Sequence, residues 1–81
     1  MYYCEDCKQP IQNLSDGLVL KIRDENGNFV KGLVLHSGEC DDRVADLYRR
    51  QGKNANGTMT LDTLDASNDV ERYRVTGELP N

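Results

Sequence analysis

Four side chains in this sequence have the chemistry of metal ligands. Cys4, Cys7 and Cys40 are its three cysteines and His36 is its one histidine. In chain order they read C-x2-C, an interval of 28 residues, and H-x3-C. A structural zinc ion takes four nitrogen or sulfur donors in a tetrahedron, and Cys3His is one of its usual sets. Each close pair can present two donors from a single turn, while the longer interval folds between them. The expected site is therefore one structural Zn2+ held by Cys4, Cys7, His36 and Cys40.

Other chemistries fit these residues less well. A redox C-x-x-C wants a βαβ setting and an acidified thiol, whereas Glu5 and Asp6 lie between the two cysteines and oppose thiolate formation unless a cation is present. A rubredoxin-like iron site would use four cysteines, and His36 breaks that set. A histidine unrelated to the thiols leaves its position in H-x3-C unexplained. Catalytic zinc keeps a coordination position open beside three protein ligands. Four available ligands imply a closed site, so no enzymatic role is expected.

The interval between the pairs has to bring them together. Leu18-Val19-Leu20-Lys21-Ile22-Arg23 and Phe29 to His36 are β-favouring runs separated by a segment containing Asn26-Gly27. Asn-Gly between two such runs is a strong hairpin signal, because a type I′ turn needs positive φ at both central residues. A two-residue loop would place Leu20 opposite Leu33, Leu18 opposite Leu35 and Ile22 opposite Lys31, on the side expected to meet the helix. Val19, Val34, Lys21 and Arg23 then fall on the other side, with His36 continuing their alternation toward the metal. A bulge, for instance at Gly32, would shift this register. Asp24-Glu25-Asn26-Gly27 lacks the glycine position and terminal glutamate of a calcium loop.

After Cys40, Asp41 and Asp42 open a segment that Arg49, Arg50 and Gly52 close, with Val44, Leu47, Tyr48 and Gln51 at i, i+3, i+4 and i+7. This predicts a helix of about ten residues whose N-terminal dipole stabilises a thiolate on Cys40. Lys53-Asn54-Ala55-Asn56-Gly57 reads as a turn-rich linker and Thr58-Met59-Thr60-Leu61 as a short strand. Asp65 to Asn68 caps a short helix carrying Val70 and Tyr73 on one face, in preference to a strand through Tyr73-Arg74-Val75. Residues 78–81 are expected to fray. Asn13-Leu14-Ser15 and Asn56-Gly57-Thr58 match the glycosylation triplet but read as loop sequence without a secretion signal.

In this order the chain resembles the treble-clef class of zinc fingers. Cys4-Glu5-Asp6-Cys7-Lys8-Gln9-Pro10-Ile11 looks like a zinc knuckle, the hairpin follows, and His36-Ser37-Gly38-Glu39-Cys40 leads into the helix. The resemblance covers roughly the first 52 residues. LIM-type fingers also pair a histidine with a downstream cysteine, usually with two intervening residues where this chain has three. The resemblance implies an α+β fold with a zinc-binding treble-clef-like domain over 1–52. Residues 53–81 form a C-terminal extension packed on it or trailing from it.

Composition limits the function. Eighty-one residues with 37% hydrophobic side chains and no tryptophan make a single small domain with a thin core, the kind that needs a metal, disulfides or oligomerisation. Fourteen acidic against ten basic residues leave a net charge of −4, and three thiolates around one divalent cation carry it one unit further negative. That disfavours sequence-independent contact with a phosphate backbone. No apolar run approaches the ~18 residues of a membrane span, and Met1-Tyr2-Tyr3-Cys4 has no secretion-signal pattern. An odd number of cysteines suits a reducing compartment, so the expected location is cytoplasmic. The expected role is a protein-interaction or regulatory module with an unidentified protein partner, Tyr2, Tyr3 and Tyr73 being candidate contacts. The alternative is a nucleic-acid-binding finger using Lys21, Arg23 and Lys31 of the hairpin with Arg43, Arg49, Arg50 and Lys53 of the helix region, although Asp41, Asp42 and Asp46 intersperse them.

Overall fold

The computed structural model describes residues 1–79. It is a small α+β domain. Two short strands, β1 (Tyr2–Tyr3) and β2 (Pro10–Ile11), pair antiparallel around the first cysteine pair. A 3-10 turn at Leu14–Asp16 leads into β3 (Gly17–Arg23) and β4 (Phe29–His36). Helix α1 (Glu39–Arg50) follows, then β5 (Asn54–Thr60), α2 (Leu61–Ala66) and α3 (Val70–Thr76). The larger sheet is antiparallel with order β4-β3-β5.

The hairpin pairs Leu18 with Leu35, Leu20 with Leu33 and Ile22 with Lys31, as the alternation predicts. Its loop differs from the expected two-residue turn. Gly27 donates its N–H to the Asp24 carbonyl at 3.0 Å and has φ +85°, and Asp24 N–H donates to Asn28 at 2.9 Å. Glu25, Asn26 and Gly27 thus form a three-residue loop ending in a left-handed glycine. The Asp24 carboxylate accepts the N–H groups of Asn26 and Asn28, each at 2.9 Å. Such a loop moves the pairing by one residue, so that Arg23 faces Phe29. An extra residue at Val30 moves it back before Ile22 meets Lys31. The bulge lies there and not at Gly32.

Both faces of the central strand are covered, which explains why Leu18, Val19, Leu20 and Ile22 are all buried. On the leucine face, Lys31 places its ammonium 5.4 Å from the ring centroid of Tyr48 in α1. On the valine face, α3 crosses β4 so closely that a Cβ at Gly32 would stand 2.8 Å from the Cα and carbonyl oxygen of Arg74. Only glycine admits that approach.

Helix α1 starts two residues earlier than expected, which puts Cys40 within its first turn. Its inward stripe runs through Cys40, Val44, Ala45 and Tyr48, and Leu47 points outward at 55% exposure. The segment set apart by sequence as a C-terminal extension supplies the third strand of the sheet and four buried side chains, Leu61, Leu64, Val70 and Tyr73. Residues 54–57, expected as a linker, are strand, as is the Asn56-Gly57-Thr58 triplet. Helix α2 is not anticipated by the sequence reading. Its Leu61 and Leu64, like Val70 and Tyr73 of α3, are spaced i, i+3 on one helix face. Glu78 and Leu79 are coil, while the fraying expected of Pro80 and Asn81 lies outside the described residues.

Candidate metal centre

The first ligand pair sits on a tight knuckle. Cys4 N–H donates to the Gln9 carbonyl and Lys8 N–H to the Cys4 carbonyl, both at 2.9 Å, with Lys8 in the left-handed region at φ 66°. The knuckle docks on the outer edge of β4, a strand that pairs with β3 on its other side. There Glu5 N–H donates to the Val34 carbonyl at 2.8 Å, the Glu5 carboxylate accepts from Val34 N–H at 2.6 Å, and His36 N–H approaches Cys4 Sγ at 3.4 Å. The free edge of the hairpin is thereby satisfied by the loop that carries the cysteines.

The second pair joins from the end of β4 and the start of α1. Between them Gly38 takes φ 95° and ψ −121°, a conformation open to glycine and costly for other residues, so the chain reverses tightly enough to bring Cys40 back beside His36. Asp6 and Arg43 lock the arrangement from outside. Arg43 donates Nε and Nη2 to Asp6 Oδ2 at 3.0 and 2.6 Å, and the same Nη2 lies 3.9 Å from Cys40 Sγ. The Arg43 guanidinium holds the Asp6 carboxyl below the usual carboxylate range. This clamp was not anticipated from the sequence. Its one signal there is an arginine a single helical turn after Cys40, with acidic residues inside C-x2-C.

The donor atoms of Cys4, Cys7, His36 and Cys40 all lie within 4.8 Å of one another. Regular tetrahedral zinc with these donors has S···S edges of about 3.8 Å, so about 1 Å of contraction closes the set. Cys7 Sγ is already 3.3 Å from His36 Nδ1, the ring nitrogen that faces the cluster. Cys4 and Cys40 are buried and Cys7 is open to solvent. All three are free thiols.

The electrostatics of the cluster suit a cation. Burial pushes the Cys4 thiol up, but backbone N–H groups of Cys7, His36 and Asp6 outweigh it and bring the group down to about 6. Burial, followed by the neighbouring Cys4 and Cys7 sulfurs, pushes Cys40 up to about 12. A negative Cys4 sulfur thus opposes a second negative charge on Cys40, which is the condition a divalent ion reverses.

The other sequence candidates are dispersed. Tyr3 is exposed, Tyr2 is half-buried with its hydroxyl donating to Asp65 at 2.8 Å, and Tyr73 belongs to the core at 7% exposure. Among the basic residues, Arg43 pairs with Asp6 and Arg50 with Asp46. Compared with protein-family models, curated proteins and solved structures, the chain finds no match, and the centre is read from its own chemistry.

Proposed function

We propose that Cys4, Cys7, His36 and Cys40 bind one structural zinc ion, and that the domain closed by this ion serves as a protein-interaction or regulatory module. The observation that carries the first part is the convergence of the four donor atoms within 4.8 Å. Three thiolates and an imidazole are soft enough to favour zinc over magnesium or calcium. Four protein donors fill a tetrahedron and leave no position for water, which supports a structural and not a catalytic ion. The succession of knuckle, hairpin and helix supports a treble-clef-like reading of the centre. Elemental analysis of protein purified without added metal tests it, and one zinc per chain is the expected result.

Protein interaction is supported by the net charge of −4, which disfavours a phosphate backbone as the partner. No helix among the described residues is long and apolar enough to cross a membrane. An odd number of cysteines without a disulfide would suit a reducing compartment, and this supports the proposal of a cytoplasmic location. Affinity capture from the source cell tests the module: a single defined protein retained after nuclease treatment is expected. Retention that disappears with nuclease would overturn this reading in favour of nucleic acid.

A further inference from the structure

At the end of the hairpin remote from the metal centre lies a groove of about 530 Å³ with a distinct chemical character. His36 faces Gly17 at one end of β3, and Arg23 lies six residues further along, about 20 Å away at strand rise. In the antiparallel pairing of β3 with β5, Lys21 faces Asn56 and Arg23 faces Asn54. Directly opposed residues project to the same side of a sheet, so two cations and two carboxamides form one block. Arg49 of α1 also lines the groove, and it donates Nη2 to the Ala55 carbonyl of β5 at 3.0 Å. Thr58 and Tyr73 complete the polar lining, and no carboxylate belongs to it.

Three cations gathered in one groove of an acidic protein call for a counter-charge. The side-chain ion pairs among the described residues are Arg43–Asp6, Arg50–Asp46 and Arg74–Glu71, none of which uses Lys21, Arg23 or Arg49. Burial and then the charge of Arg23 press the Lys21 ammonium below its ordinary range, and Glu78 is the one nearby carboxylate that opposes them. Lys21 lies 5.7 Å over the Tyr73 ring and Asp41 is within electrostatic reach of Arg49, but neither these nor Glu78 puts a carboxylate in the lining, so like charges predominate where a ligand would sit. The groove volume lies in the range of small-ligand sites, roughly 300–1,000 Å³. Guanidinium groups recognise phosphate oxygens through paired N–H donors, and carboxamides add neutral donors and acceptors beside them.

We propose that the groove lined by Lys21, Arg23, Arg49, Asn54 and Asn56 binds the phosphate groups of a nucleotide-sized ligand. The site is independent of the metal centre. Phosphates reach it from a free nucleotide or from a nucleic-acid strand, and the test separates these sources.

Zinc-loaded full-length protein is titrated with inorganic tripolyphosphate, with ATP free of magnesium and with a twelve-residue deoxythymidine strand, followed by calorimetry and backbone amide shifts. Tripolyphosphate is expected to bind one to one and to shift amides around residues 21–23, 49 and 54–56. Arg23→Ser and Arg49→Gln should each weaken binding at least tenfold, while Lys8→Gln, at the far end of the molecule beside the metal centre, leaves it nearly unchanged. Amide dispersion confirms that each variant is folded. Tighter binding of ATP identifies a free nucleotide. Tighter binding of the strand, with log K falling about 0.7 per contacted phosphate per decade of salt, identifies a nucleic-acid backbone. Absence of binding at millimolar tripolyphosphate, or shifts spread equally over Lys8, Lys53 and Arg72, overturns the proposal.

Discussion

Glu5 and Val34 exchange two hydrogen bonds, the Glu5 N–H donating to the Val34 carbonyl at 2.8 Å and the Glu5 carboxylate receiving the Val34 N–H at 2.6 Å. One residue of the knuckle thus completes the backbone bonding of a buried position on the edge of the sheet. A metal ion bound by the cluster would have less loop to order, because Cys4 and Cys7 are already held against the strand that carries His36.

Replacing Glu5 by alanine leaves the Val34 N–H without its acceptor at a residue only 6% exposed. The expected loss is about 1–2 kcal/mol, the usual cost of an orphaned buried donor. Glu5→Gln retains an acceptor oxygen and should recover most of it. Urea unfolding of the zinc-loaded variants measures both, and equal losses for alanine and glutamine would show that the carboxylate's charge matters and its hydrogen bond does not.

Metal removal should have a larger effect. Zinc-finger peptides gain about 10–16 kcal/mol from their ion at neutral pH, comparable to or above the about 5–15 kcal/mol of a whole small domain. Chelation is expected to abolish amide dispersion across the chain, since Leu61, Leu64, Val70 and Tyr73 share one core with Cys4 and Cys40. Cys4→Ser and Cys40→Ser should be the most damaging ligand changes, because a serine hydroxyl there is buried, whereas Cys7→Ser leaves its hydroxyl in water. His36→Ala should also lose zinc. A folded chain containing no metal in any of these variants contradicts the site.

Legibility of this fold in its sequence follows a physical division. The cluster of Cys4, Cys7, His36 and Cys40 and the hairpin register are legible because cysteine spacing and period-2 alternation are local signals. The register is legible although the turn is not, since the one-residue shift of the Glu25–Gly27 loop is cancelled by the extra residue at Val30. Of strand β5 only Thr58–Thr60 is legible as alternation; Asn54, Asn56 and Gly57 have turn chemistry, and their extended state is imposed by the open edge of β3. The Asp6–Arg43 clamp and the groove around Lys21 escaped for a related reason. Each joins residues far apart in the chain, and only the assembled sheet brings them together.

Gly32 tests how α3 is seated. Alanine there places a Cβ 2.8 Å from the Arg74 backbone, which has no rotamer by which to give way. Either α3 lifts from β4 or the strand bends, at a cost of about 1–3 kcal/mol. Hydrogen exchange should accelerate at Tyr73 and Gly77, whose N–H groups bond within and just after α3, while zinc content stays at one per chain. Unchanged protection in α3 would mean that the contact is looser than drawn.

Asp41 makes the last prediction, and its sign is unusual for a carboxylate. Its Oδ1 is buried without a hydrogen-bond partner among the described residues, in a place where a Cβ at Gly57 would lie 3.1 Å away. Burial, then the charge of Asp42, raises its pKa, and Arg49 only partly opposes them. A carboxyl raised in the folded state stabilises that state when protonated, below its unfolded value near 3.9, and this stability is lost as pH rises through the folded value. At neutral pH the ionised group is therefore a net cost, despite its favourable place in the first turn of α1, where a helix end contributes about 0.3–1 kcal/mol. Glu39 and Asp42 keep that turn acidic when Asp41 is changed. Asp41→Asn is expected to stabilise the protein at pH 7 by up to about 1 kcal/mol, a figure reduced for partial exposure. Because both proteins bind zinc through the same ligands, the metal's own pH dependence cancels in the difference. The advantage of asparagine should be present at pH 7 and shrink as pH falls through the raised folded-state value toward the unfolded one. Paired denaturation curves across that range measure it, and an advantage that grows on acidification would show that Asp41 is held by a favourable partner.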